Sequence, residues 1–574
     1  MDIMTYTMAD CNPEDLRAVV DMGSNGIRFS ISSLQFPTTR IMPTLYQHRV
    51  GISLYDAQYS TAGERQPIDD QTIAAVVSSL QQFKQTCEDF EVPEEHVSVL
   101  ATEATRTAQK SENFRKCIKE STGWAVIMLS KEEEGRMGAM GIASSLPSIS
   151  GLVMDLGGGS TQLSWIIGHG GSGVVALPEQ GAVSMPYGAA AMTRRLKEAE
   201  KKGSTQELKQ EILSAVKAAF ASLDIPTELQ QEAEEQGGFT LYLSGGGFRG
   251  WGYVLMSRHQ VQPYPIPVIN GFKANREQFH GIEEVKAAAQ IALHDDEDDI
   301  FRISERRANQ VPAVAFLIDA LAEALPQIKE VRFCQGGVRE GHLFSSMTPH
   351  VAQQHPLVVA TECFGARQPS HLLVKLLLQA LPPGSTAGAL NDYKSVFTVA
   401  RLQSFANLMF YHAGHSKDLQ AMSALCITTS GLLGGVHGIL HEDRTLLALL
   451  LCGRWGGDVP PSAQHFKRDL ERLVDSPWTI WWINYIGAVA QLIARVYPAS
   501  VNERNKDRMF LETRWSTDEK RRSCLSLQTN FAKGMSTEAF GKEIKAIEKV
   551  GKKKNWIGGK EGTGHRVNVD VCIS

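Results

Sequence analysis

The 574 residues are 43% hydrophobic, 21% charged and 7% aromatic, a balance that excludes a disordered, fibrous or membrane-embedded chain. Lysine and arginine total 58 against 63 acidic residues, and the resulting charge of -5 excludes a nucleic-acid binder that works through bulk positive charge. Nine cysteines form no Cys-x-x-Cys pair, which argues against a zinc site or a disulfide framework and for a reducing compartment.

At roughly 150 residues per domain, three or four domains are expected. The first residues, MDIMTYTMADCNPEDL, have neither a basic start nor an apolar core of signal-peptide length, so a cytoplasmic protein is expected. From Leu16 to about Ser345, short apolar strands alternate with longer helical patterns, the signature of an α/β architecture. The expected strands are Arg17–Asp21, Ile27–Ser33, Val97–Ala101, Val126–Leu129, Leu152–Asp155, Gln162–Ile167 and Thr240–Ser244. Helical patterns cover Gln71–Phe90, Lys131–Ser145, Ala189–Lys202 and Gln206–Leu223. VVDMGSNG at 19–26 and VMDLGGGST at 153–161 end in nearly the same way, so two related lobes, 16–150 and 151–345, are expected to face each other. The acidic run Asp295–Asp299 reads as a solvated loop.

After Pro356 long apolar helical segments predict a mainly helical domain over 356–500, followed by a small α+β module over 501–574. That module has strand-like Met509–Trp515 and Ser523–Thr529, a helical Ser536–Val550 and alternating Val567, Val569 and Val571. Two apolar stretches, Ala421–Leu440 and Trp478–Val496, are interrupted by polar residues and read as buried helices, so no membrane partner is expected.

Both glycine turns leave a strand just after an aspartate, where freed backbone N–H groups can converge on an anion. They read as two jaws on one polyphosphate or nucleotide, although tight hairpin turns have similar sequences. Asp21 and Asp155, at equivalent points, supply hard oxygen ligands suited to magnesium. Neither turn is a Walker loop or a G-x-G-x-x-G dinucleotide turn. LSGGGFRGWG at 243–252, with Gly245 and Gly246 after its strand, and FCQGGVREG at 333–341 repeat the strand-to-glycine arrangement. Ligands of such folds collect at strand carboxyl ends. ATEATRTA at 101–108 reads as a strand end entering a loop, where Arg106 offers a fork for phosphate oxygens. In KEEEGR at 131–136, Glu134 is suited to orient or deprotonate a water, while plain helix N-terminal charge would equally explain the acidic triplet.

VVDMGSNGIRF, ATEATRTAQKSENF, LSKEEEGRMGAMG, VMDLGGGSTQLSW, LSGGGFRG, SERRANQVPA and GGVREGHLF occur in this order over about residues 16–345. In these motifs the chain resembles the exopolyphosphatase and guanosine pentaphosphate phosphohydrolase family. INGF at 269–272 and GKKKNWIGGKEG at 551–562 are similar to a fungal branch that signals from mitochondria to nuclear transcription through a regulatory protein partner. The resemblance implies an actin-like, ribonuclease H-like two-lobed fold, an interlobe cleft and magnesium-assisted attack of water on a terminal phosphate. It further implies a first phosphate loop at Ser24 and Asn25, and a second at Gly157, Gly158, Gly159, Ser160 and Thr161. Arg106 would be the phosphate-binding arginine, Glu134 the catalytic glutamate, and Asp21 and Asp155 the acidic residues after the two strands. The chain departs from the family at Gly26, where serine is usual, and at Gln162, where a catalytic-site glutamate is usual. Glutamine keeps the size but removes a charge and a proton acceptor. Two functions are therefore expected as alternatives: a phosphoryl-ligand sensor whose lobes close without turnover, or an active magnesium-dependent hydrolase.

YHAGHSKD at 411–418 and GVHGILHED at 435–443 imitate a His-Asp phosphohydrolase site, yet Glu442 follows His441 and LLCGRWGGD at 450–458 holds no further histidine. Core or interface histidines are expected, in a domain that closes over the cleft or mediates assembly, self-assembly included. Lys552, Lys553 and Lys554 beside Trp556 read either as a solvated turn or as a docking loop for an acidic partner.

Overall fold

The computed structural model describes residues 11–59, 64–168, 175–283, 305–365, 370–383, 393–517 and 522–573, the side chains of 305, 306, 393 and 394 excepted. The acidic run Asp295–Asp299 lies outside the described residues. The chain divides into two compact units, Met1–His259 with Ile269–Pro356 and His437–Ile439, and Gln260–Val268 with Leu357–Val436 and Leu440–Ser574.

The first unit contains two sheets. In one, β1 (Leu16–Gly23), β2 (Gly26–Ser33), β3 (Thr44–Val50), β4 (Val97–Ala101) and β5 (Val126–Met128) lie in the order β3-β2-β1-β4-β5. Strands β1 to β3 are antiparallel, and β4 and β5 run parallel to β1. The second sheet holds β6 (Ile149–Leu156), β7 (Thr161–Gly168), β8 (Val183–Met185), β9 (Phe239–Ser244), β10 (Lys273–Asn275) and β11 (Ile328–Phe333) in the order β10-β11-β9-β6-β7-β8. Its run β8-β7-β6-β9-β11 repeats the order and the strand directions of the first sheet. That repetition is the two-lobed, ribonuclease H-like architecture, and it follows from the duplicated hairpin pattern. Each lobe opens with a buried apolar strand, turns back through glycine, and then needs crossover helices to return parallel strands to the sheet.

Helix α1 (Asp70–Asp89) shows how the sequence encodes one such crossover. Asp69 caps it by accepting from the Thr72 N–H, and Val76, Leu80, Phe83 and Cys87 recur at helical spacing to form the buried stripe. These side chains join Val20, Phe29, Val99 and Trp124 in the first lobe's core. Strand β3 escapes sequence reading because TLYQHRV is polar and only partly buried, an edge strand with little apolar alternation to display. ATEATRTA also departs from expectation. It is not a loop: α2 (Glu103–Thr107) begins there, and the short helix leads to α3 (Ser111–Thr122).

In the second unit, Trp481, Trp482 and Tyr485 of the helix Pro477–Val496 are fully buried. The expectation of a buried helix over Trp478–Val496 is thus met. Over Ala421–Leu440 the helix stops after Lys417–Cys426 and the chain turns instead. Arg444 supplies the reason. Its buried guanidinium donates to the carbonyls of Thr428, Leu433 and Val436, which a continuing helix would have used internally. Among the described residues, no helix is long and apolar enough to cross a membrane. The unit ends in a three-stranded sheet, with β13 (Ser523–Phe531) between β12 (Met509–Thr517) and β14 (Arg566–Ile573).

The histidines of this region are engaged in packing. His441 accepts or donates at both ring nitrogens, to the Tyr264 hydroxyl at 2.7 Å and the Val268 carbonyl at 2.7 Å. His437 in the first unit bonds Ser144 at 2.9 Å, and burial pushes its pKa down to about 4. His441 is thus a buried histidine and His437 a half-buried one, each held by hydrogen bonds to its neighbours. Lys552, Lys553 and Lys554 are exposed, with the Lys553 ammonium 5.5 Å above the Trp556 ring.

Candidate functional site

The four glycine turns that the sequence spreads over more than three hundred residues meet at one cavity of about 120 Å³ in the first unit. Gly23, Ser24, Asn25 and Gly26 contribute the β1–β2 turn, and Gly157, Gly158 and Ser160 the β6–β7 turn. Ser244 ends β9 and Gly245, Gly246 and Gly247 follow it, while Gly337 follows β11. Both jaws are indeed hairpin turns, closing at Gly23 opposite Gly26 and at Leu156 opposite Thr161, and they nevertheless face each other. A Cβ placed on Gly158 would stand 2.8 Å from the Ser24 Cβ and 2.8 Å from the Asn25 Cγ, so only glycine lets the turns approach this closely. Gly245, with φ +90°, lies against the Asp155 carboxylate in a backbone region that disfavours a side chain.

An anion seat requires that backbone carbonyls be occupied elsewhere. The Ser24 carbonyl accepts from the Tyr55 N–H at 3.0 Å and the Ser53 hydroxyl at 3.3 Å, and the Asn25 carbonyl from Arg49 at 3.1 Å. In the second turn the Gly157, Gly158 and Gly159 carbonyls accept from N–H groups of Gly188 to Ala191, at the start of the helix Ala189–Lys202. Oxygen repulsion toward an incoming anion is thereby reduced at both jaws.

Four guanidinium groups, from Arg28, Arg49, Arg249 and Arg307, line the cavity beside three carboxylates, Asp21, Glu134 and Asp155. Burial raises the pKa of Asp21, with Arg28 at 3.8 Å opposing the rise. Burial likewise pushes Asp155 up to about 6, against the pull of Arg249 and Arg28. Glu134 is pushed up to about 7 by burial, although Arg106 donates to its Oε2 at 3.0 Å. Burial and the neighbouring Arg28 and Arg307 push Arg249 down to about 9. Charges of both signs are thus held out of water at unfavourable cost, an arrangement relieved by a ligand that brings both signs with it.

Magnesium with a phosphate chain is such a ligand. Buried Asp21 and half-buried Asp155 are two hard-oxygen donors lining the cavity, the number that magnesium commonly takes from protein while phosphates and water complete its shell. No group of three or more His, Cys, Asp or Glu suited to a metal occurs among the described residues, so the donor set fits a cation shared with a ligand rather than a closed protein cage.

Asp21, Ser24, Asn25, Gly26, Glu134, Asp155, Gly157, Gly158, Ser160, Gln162, Gly245 and Gly246 all line the cavity. Three other expected site residues adjoin the residues that line it. Arg106 holds Glu134 and donates to the Leu129 carbonyl at 2.5 Å. Gly159 lies against Glu103, and the Thr161 hydroxyl donates to the Tyr187 carbonyl at 2.9 Å. Gln162 is buried, its amide donating to the Ser160 hydroxyl at 2.8 Å and the Ser184 hydroxyl at 3.3 Å.

Sequence reasoning passed over Arg28, Arg49, Arg249 and Arg307. A usable signal existed for Arg28, because closing the hairpin at Gly23 and Gly26 places Asp21 directly opposite it. The same counting in the second lobe sets Asp155 opposite Gln162, so Arg28 and Gln162 occupy equivalent positions. Arg249 falls one helical turn beyond Gly245, whose carbonyl accepts from its Nε at 3.3 Å.

The Ppx/GppA phosphatase family matches residues 34–350, and the RTG2 C-terminal domain matches residues 355–574. Retrograde regulation protein 2 of Saccharomyces cerevisiae is 38% identical over 509 residues, 86% of this chain and 84% of that protein. A Pseudoalteromonas atlantica guanosine-5'-triphosphate,3'-diphosphate pyrophosphatase is 28% identical over 160 residues, 28% of this chain and 29% of that protein. The crystal structure of the Aquifex aeolicus Ppx/GppA family member is 22% identical, with a TM-score of 0.44, and covers 57% of this chain and 96% of that one.

Proposed function

Because the chain belongs to the Ppx/GppA phosphatase family and is homologous to retrograde regulation protein 2 along most of its length, we propose that it is a cytoplasmic retrograde-signalling protein regulated by a phosphoryl ligand. The ligand is the phosphate chain of a nucleotide or polyphosphate, bound in the interlobe cavity. Its occupancy sets lobe closure, and closure controls a surface that docks a regulatory protein partner. Such a switch works only if the ligand prefers one lobe arrangement over another. The observation that carries the reading is the convergence of four strand-end glycine turns and four arginines on one cavity.

Ser24, Asn25, Gly26 and the turn from Gly157 to Ser160 would surround the terminal phosphoryl group, with Arg28 and Arg249 balancing its charge. Magnesium, held by Asp21 and Asp155, would neutralise further phosphate charge when bound. Gln162, in the register position opposite Asp155, supplies an amide where a carboxylate would add a proton acceptor, which favours binding over turnover. A second reading, slow hydrolysis, is favoured by Glu134. With its pKa at about 7, it is poised to take a proton from water as the water oxygen bonds to phosphorus and the bridging phosphorus–oxygen bond breaks.

The test is calorimetric titration of the full chain with tripolyphosphate, ATP and guanosine pentaphosphate, with and without magnesium, alongside phosphate release. Binding with negligible release is expected. Release at rates typical of hydrolases would replace the sensor by the enzyme, and no binding of any of the three would remove both. Gly158→Ala is expected to weaken binding about tenfold without lowering the melting temperature substantially, because its methyl group must part the two turns. Unchanged affinity would show that the turns need not approach for binding.

A further inference from the structure

One acidic side chain sits where the two phosphate turns touch, and neither the metal donors nor the proton acceptor account for it. Glu103 is the first residue of α2, directly after Thr102, which lines the cavity. Its carboxylate Oε2 accepts from the Ser24 hydroxyl of the first turn at 3.4 Å. The same oxygen lies so close to Gly159 of the second turn that a Cβ there would overlap it. Glu103 therefore reaches both jaws at once, and it uses a hydroxyl that the first jaw would offer to a phosphoryl oxygen. Its charge is also felt deeper in the site, where it helps to hold the Glu134 carboxyl above its usual range.

We propose that Glu103 is an intramolecular stand-in for a phosphoryl group, an anionic gate that an entering phosphate chain must displace from the seam between the turns. The inference rests on the phosphoryl-ligand reading of the cavity and adds its regulation. Carboxylate and phosphate oxygens seek the same donors, so the gate competes by geometry. It also repels by charge, because a buried or half-buried like charge within a few ångströms is screened only in part. The gate raises the ligand concentration needed for lobe engagement, and it favours ligands with several phosphates over a single phosphate ion, since neighbouring phosphates can bind before Glu103 leaves.

The test compares tripolyphosphate and inorganic phosphate binding, in magnesium, to the full-length wild type, Glu103→Gln and Glu112→Gln. The first variant keeps size while removing the charge. The last removes one exposed charge from α3, away from the turns. Glu103→Gln is expected to bind tripolyphosphate about tenfold more tightly, with the gain shrinking as salt is raised, while Glu112→Gln binds like the wild type. Equal affinity of the wild type and Glu103→Gln, with both binding, would overturn the gate and leave the phosphoryl-ligand reading standing. Weaker binding by Glu103→Gln would also overturn it, because Glu103 would then assist the ligand. Absence of binding by every variant would overturn the phosphoryl-ligand reading and the gate with it. Melting curves of the three proteins confirm that the comparison is between folded chains.

Discussion

Replacing Gln162 by glutamate is expected to raise magnesium-dependent phosphate release by about one to two orders of magnitude. Gln162 is buried beside Ser160 and Ser184, and a carboxylate in its place would accept from both hydroxyls without a change of volume. It would stand opposite Asp155 on the neighbouring strand and bring a fourth carboxylate to a cavity that already holds Asp21, Glu134 and Asp155. The carboxylate supplies a charged oxygen for a cation and a base for a water, whereas the amide offers only a neutral oxygen and takes no proton. The added charge also raises the proton affinity of the neighbouring acids, so the gain should be larger at pH 8 than at pH 6. Release that stays at the wild-type level, with tripolyphosphate still bound, would mean that the lost charge is not what limits turnover.

In the Gln162→Glu background, Glu134→Gln is expected to lower release about a thousandfold while leaving tripolyphosphate binding within a few fold. Glu134 is the fourth residue of α4 (Lys131–Ser144), whose start is fixed by a reciprocal cap between Ser130 and Glu133. Arg106 donates to the Glu134 Oε2 at 3.0 Å. A proton acceptor must be ionised; burial already pushes this carboxyl up to about 7 with Gln162 present, and the added carboxylate raises it further, so the rate should climb with pH from about 7 upward. Stability runs the other way. The folded pKa lies above the ordinary 4.5, so the contribution of the neutral form is fully present below 4.5 and is lost as pH rises through about 7. Glu134→Gln should therefore raise the melting temperature above pH 7 and leave it unchanged near pH 4. A rate that ignores pH between 6 and 8, or survives Glu134→Gln, would assign the proton transfer to another group.

Much of the fold could be read in advance because its signals are local. The hairpins around Gly23 and Gly157 show apolar strands ending in Asp, and the helix pattern at Gln71–Phe90 matches α1 to within one residue at each end. Where the signal was weak, reading failed for identifiable reasons. Strand β3 is polar, and α2 has only five residues, too few to show a helical period. Arg444 ends an apolar run by drawing carbonyls out of it, which no pattern in Ala421–Leu440 announces.

The sequence by itself determined that two strand-turn units of one kind exist and that each carries an aspartate and a glycine turn. These are properties of short segments, set by backbone sterics, alternation and residue type. The tertiary structure alone decided that four glycine turns share one cavity and that Arg106 pairs with Glu134. It alone also brought Arg28, Arg49, Arg249 and Arg307 to the same walls and Glu103 to both turns. Those pairings join residues tens to hundreds of positions apart, and they arise when two sheets of equal topology bury their strand ends together. Burial then sets the charges: the same carboxyl group that would titrate near 4.5 in an extended chain does so at about 7 once water is removed from Glu134.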